Sequence, residues 1–77
     1  MTKILLFAGL QEKTGEEAIE LDFSKGSVKD LREQLLQEYQ LEDFKTAMVA
    51  INEEFAANDR LIEQGDIVAF IPPVSGG

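Results

Sequence analysis

The chain has 77 residues, no cysteine and no histidine, and a formal net charge of −8 from 15 acidic and 7 basic side chains. This composition excludes disulfide staples and thiol chemistry, and it removes the usual zinc ligand and the usual general base near neutral pH. The charge disfavours nucleic acid and anionic membrane as partners and suits a basic protein surface.

The length fits one domain with a small core and little room for an enclosed pocket, so function is expected on a surface or at an end. No stretch approaches the roughly 18 apolar residues of a membrane span, and no leader opens the chain. The expectation is a soluble, cytoplasmic domain.

In chain order, "TKILLFAGL" is apolar on both faces and reads as a strand covered on both sides. "QEKTGEE" reads as a loop. "EAIELDF" alternates, with Ile19, Leu21 and Phe23 opposed to Glu20 and Asp22, which predicts a strand with one wet face. A hairpin between these two strands is the simplest pairing. The period then changes. Ser27 is a good N-cap, Asp30 completes a capping-box arrangement, and Val28, Leu31, Leu35 and Tyr39 recur at helical spacing with Leu36 beside them. This predicts a helix over Val28–Tyr39, with Lys29 and Glu33 as an exposed pair. Residues 40–45 form a connection with Leu41 and Phe44 tucked beneath. "TAMVAIN" reads as a third strand, and "EEFAAND" as a turn with a short strand around Phe55. In "DRLIEQGD", Leu61 and Ile62 anchor a turn closed by Gly65 and Asp66. "IVAFIP" is the last strand, again apolar on both faces.

One amphipathic helix among these strands predicts an α+β fold, a β-grasp (ubiquitin-like) roll with a mixed sheet of four to five strands. The first and last strands lie parallel at its centre. A ferredoxin-like arrangement is the rival, but nothing after residue 45 supplies its second helix. A single helix covers a single sheet face, yet both central strands are apolar on two. Val68 and Phe70 share one face of the last strand; Ile67, Ala69 and Ile71 share the other. The uncovered set is either a partner interface or is covered by loops and termini.

The chain closes on "PPVSGG". Pro72 and Pro73 lack backbone donors and fix φ, so they end the sheet and launch residues 73–77 as an extended tail from the domain of residues 1–72. That tail reaches at most about 17 Å, at roughly 3.4 Å per residue. Gly76 and Gly77 have no Cβ, can thread a narrow channel, and leave the acyl carbon unshielded. Such an end could carry a carboxylate into another protein's active site. Terminal glycines also read as frayed chain.

"GDIVAFIPPVSGG", together with "KILLFAGLQEKTG" and "SVKDLREQL", resembles the small-subunit family of molybdopterin synthase, the sulfur carriers of that enzyme. Ile67 departs from the pattern, standing where the family often has an acid. The resemblance implies that an ATP-using, ubiquitin-activating-like enzyme adenylates the Gly77 carboxylate and that a sulfur donor converts the adduct to a thiocarboxylate. The tail then enters the large subunit and gives sulfur to cyclic pyranopterin monophosphate for molybdenum cofactor biosynthesis, in a heterotetramer. On this reading the chain is not catalytic alone, and ATP binds the activating partner and not this chain. Gly77 is the reacting residue and Gly76 threads the channel. Phe7, Ile67, Ala69, Phe70, Ile71, Pro72, Pro73, Val74 and Ser75 are the docking candidates, with Phe70 and Ile71 foremost. A carrier for thiamine thiazole synthesis, a modifier attached to lysines, and a non-catalytic interaction module are the alternatives. The acidic pairs Glu16–Glu17, Glu42–Asp43 and Glu53–Glu54 read as solvated charge, since no spacing matches a calcium loop.

Overall fold

A computed structural model describes residues 1–23 and 25–73. Along the chain run β1 (Thr2–Leu6), α1 (Ala8–Thr14), β2 (Ala18–Leu21), α2 (Val28–Tyr39), α3 (Asp43–Thr46), β3 (Met48–Ile51), β4 (Glu54–Phe55) and β5 (Ile67–Ile71). The strands form one sheet in the order β2-β1-β5-β3-β4. The central pair, β1 and β5, is parallel, and the other neighbours are antiparallel. This is the β-grasp roll, with α2 filling the crossover that a parallel central pair requires.

α2 starts and stops where its sequence directs. The Ser27 hydroxyl accepts from the Asp30 N–H, and the Asp30 carboxylate accepts from the Ser27 N–H at 2.9 Å, so the capping box is complete. Gln40, in the left-handed region at φ 56°, ends the helix. Val28, Leu31 and Leu35 are fully buried against Ile4, Leu6, Val68 and Phe70 of the central strands. Phe44 of α3 closes the core, edge-on to Phe70 with ring centroids 5.6 Å apart. The Arg32 guanidinium lies 5.9 Å from the Phe70 ring centroid and donates to the carbonyls of Phe44 at 2.9 Å and Ala47 at 2.6 Å. It thereby satisfies the carbonyl end of α3 and bolts that helix to α2.

Several expectations are corrected. The expected antiparallel pairing of β1 and β2 is present, but the first strand stops at Leu6, and α1 takes up the end of the expected strand and the start of the expected loop, so the connection is helical. The chain turns at Ala8, φ 50°, buries Leu10, and leaves α1 through Gly15 at φ 78°. A two-turn helix with one buried apolar residue carries no periodic stripe, which is why the pattern did not announce it. Leu61 does not anchor its turn; it is exposed, and Ile62 alone enters the core. Ion pairs among the described residues join Lys13 to Asp43 and Arg60 to Asp66, and Lys29 with Glu33 is not among them.

Candidate functional site

The sheet has two faces of different fate. Alternate residues of β1 and β5 (Ile4 and Leu6, Val68 and Phe70) are sealed beneath α2. Their neighbours point to the opposite face, which no helix covers. The strand register lays a row straight across that face: Ala18 opposite Leu5, Leu5 opposite Ala69, Ala69 opposite Ala50, and Ala50 opposite Phe55. The middle of the row is alanine, so the sheet is low there. Larger side chains stand around it, with Phe7 43%, Ile67 44% and Phe55 71% exposed. The result is a shallow apolar trough floored by Ala50 and Ala69 and walled by Phe7, Phe55, Ile67 and Ile71.

The trough adjoins the exit of the chain. Leu6 pairs with Phe70, so Phe7 lies at the end of the sheet where β5 finishes, and Met48, opposite Ile71, is 49% exposed beside it. Pro72 is half-buried and Pro73 exposed. Without N–H groups neither proline can extend the ladder, so the chain leaves the sheet directly beside the trough.

The other end of the trough is held by polar groups. Asn52 and Glu53, at φ 51° and 72°, form the two-residue turn between β3 and β4 with both residues left-handed. The Asn52 side chain accepts from the Ile67 N–H at 3.0 Å and donates to the Asp66 carboxylate at 3.0 Å, tying the turn to the start of β5. Asp66 also accepts from the Glu63 N–H at 2.9 Å and from Arg60 at 3.1 Å. The Glu63 N–H, with Asn52 and Arg60 adding to it, holds its carboxyl below the usual carboxylate range against the opposing effect of burial. On the far side of the molecule, burial and the neighbouring Glu16 carboxylate push the Tyr39 phenol up.

Of the expected docking residues, the structure gathers Phe7, Ile67, Ala69 and Ile71 on the open face, with Pro72 and Pro73 leading away from it. Phe70 is corrected: its side chain is wholly buried among α2, α3 and Arg32, and offers no surface to a partner. Strand parity already paired Phe70 with Val68, and nearness to the tail was the misleading cue. Val74, Ser75, Gly76 and Gly77 lie outside the described residues. Leu5, Ala50, Asn52, Glu53 and Phe55 also line the trough and were not expected there. Alternation along β1 could have found Leu5, whereas Ala50 and Glu53 depend on register and turn geometry.

Among the described residues no cluster of acidic side chains is arranged to hold a metal ion, and no helix is long and apolar enough to cross a membrane. The floor and most of the walls of the trough are carbon, with Asn52 and Glu53 the polar residues among its described lining.

A family model described as the ThiS family matches residues 4–77. The molybdopterin synthase sulfur carrier subunit of Arabidopsis thaliana is 38% identical over 78 residues, covering 97% of this chain and 81% of that protein. Among solved structures, SAMP1 from Haloferax volcanii superposes with a TM-score of 0.81 at 28% identity, covering 99% of this chain and 98% of that one. One chain of the complex of subunits 1 and 2 of the molybdopterin-converting factor from Helicobacter pylori superposes with a TM-score of 0.70 at 25% identity, covering 99% and 97%.

Proposed function

The chain belongs to the ThiS family, among the sulfur carrier subunits of molybdopterin synthase that serve molybdenum cofactor biosynthesis, and we propose that it carries the sulfur on the acyl carbon of Gly77. The observation that carries this reading is the placement of an uncovered apolar trough beside the exit of a Pro-Pro-Val-Ser-Gly-Gly tail, on a body with no cysteine to hold a persulfide.

A carboxylate oxygen is a poor leaving group, so the sulfur must enter through an activated acyl. An ATP-using partner joins the Gly77 carboxylate to AMP and releases pyrophosphate. A sulfur donor at the oxidation level of sulfide then displaces AMP and leaves a thiocarboxylate. The nucleotide belongs to that partner's site. In the second encounter the trough docks on the synthase large subunit, and the tail enters its active site. There the thiocarboxylate sulfur attacks a side-chain carbon of cyclic pyranopterin monophosphate, forming a carbon–sulfur bond as the carbon–oxygen bond at that carbon breaks and its oxygen group leaves. Water then takes the acyl group and regenerates the carboxylate. Acid and base catalysis fall to the partners, and this chain supplies position and cargo. On this reading both encounters occur in the cytoplasm.

Reconstitution with the large subunit and the pterin precursor tests the reading. Deleting Gly77, or adding one residue after it, should abolish sulfur transfer while leaving the melting temperature unchanged. Transfer by the extended variant would overturn it. The likeness to SAMP1, the small archaeal modifier protein 1, favours a second reading, in which a lysine amine and not a sulfur donor attacks the same activated acyl. Isopeptide-linked products ending at Gly77, formed with the activating enzyme and no sulfur donor, would support that alternative.

A further inference from the structure

We propose that Glu53 is the charged specificity determinant of the docking face, pairing with a lysine or arginine of the large subunit at the edge of the apolar contact. The inference rests on the reading that this trough receives the large subunit. Among the described residues, Glu53 is the one charged residue lining the trough. Three other acids are engaged within the chain: Asp30 in the capping box, Asp43 with Lys13, and Asp66 with Arg60, Asn52 and the Glu63 N–H; what sets Glu53 apart is its place on the trough. The Glu53 carboxylate has no ion pair among the described residues. Lys3, which precedes Leu5 on the same face and stands opposite Ile67, does not reach it.

The backbone also singles this position out. Glu53 sits at φ 72°, a conformation that glycine adopts with less strain, and it does so in a turn whose second residue is commonly glycine. The Asn52 bonds to β5 fix that turn, so Glu53 projects from a set backbone position on the trough that Phe55 and Ile67 also line. A partner seated on those two side chains would exclude water around the carboxylate. An ion pair formed there is stronger than one in open solvent, and an uncompensated charge there is penalised. A cationic partner group also matches the net charge of −8.

The test is a titration of the large subunit against the full chain at low and high salt, with melting curves for each variant. Glu53→Lys should weaken binding about tenfold or more at low salt, with a smaller penalty at high salt. Glu53→Gly should weaken binding by roughly the value of the pair alone, several-fold, while raising the melting temperature. Glu54→Lys, on the same hairpin but paired with Ile51 on the opposite face, should bind within about twofold of the parent. Unchanged binding by Glu53→Gly overturns the proposal, even if Glu53→Lys is weakened, because only a new repulsion would then have been measured. A parent chain that fails to bind the large subunit removes the docking reading itself, an outcome distinct from failure of the Glu53 assignment.

Discussion

Replacing Ala69 with aspartate separates the docking face from the folding face. Ala69 sits in the centre of the trough, between Leu5 and Ala50 in register, and is half-buried with water as its remaining neighbour. In the free protein the new carboxylate can stay hydrated, so the expected loss is the poor strand preference of aspartate, about 1 kcal/mol. A chain of this size, with stability on the order of 5 kcal/mol, stays folded. In the complex the same carboxylate would be covered by the partner at a position where the parent chain offers only an alanine methyl group. Burying an unpaired charge costs several kcal/mol, and even about 3 kcal/mol weakens binding more than a hundredfold. The assay is a binding titration with the large subunit alongside a thermal melt. Phe70→Ala is the contrasting variant: it empties a fully buried site and should lose about 3–5 kcal/mol, most of that stability, so its melting temperature falls steeply while the open face keeps its side chains. Parental affinity in a folded Ala69→Asp protein would refute the assignment of the open sheet face as the docking surface.

Two further outcomes follow from local geometry. Gly26, at φ 146°, leaves no room for a Cβ, which would stand 2.6 Å from the Phe23 ring and 3.1 Å from the Asp30 carboxylate, so Gly26→Ala should lose about 1–3 kcal/mol in a denaturant melt by straining the backbone and the α2 cap together. The carboxyl of Asp66 titrates below its ordinary value of 3.8 in the folded chain, so its contribution is full above that value and is lost as pH falls through the folded pKa; Asp66→Asn should lower stability at neutral pH and flatten the acid limb of a stability-versus-pH curve below about pH 4.

What could be read in advance was whatever repeats along the chain. The α2 stripe, its Ser27 and Asp30 cap, and the two doubly apolar strands are patterns of several residues, and each places its element and the sheet order with it. α1 has a single buried residue and is held by tertiary contacts, including Lys13 to Asp43 at 2.9 Å, so the local sequence around it carries too little signal. Leu61 and Ile62 are adjacent, and the choice of which one enters the core is made by the bridge between Leu61 and Ser27 and the bond from the Ile62 N–H to the Gly26 carbonyl. The open sheet face was legible as apolar strand residues lacking a helix. Its shape was not, because the hollow is made of alanines that face one another only once register is known. The Asn-Glu turn is equally silent, since glycine is the usual marker of its second position.

The central claim is chemical, that the cargo travels on Gly77. The most direct measurement is the intact mass of the chain after expression with its activating enzyme and a sulfur donor, followed by fragmentation to locate any change. The account predicts a shift equal to one oxygen replaced by sulfur, confined to Gly77 and lost on incubation with the large subunit and the pterin precursor. An unshifted mass under those conditions, or sulfur placed on any other residue, would contradict it.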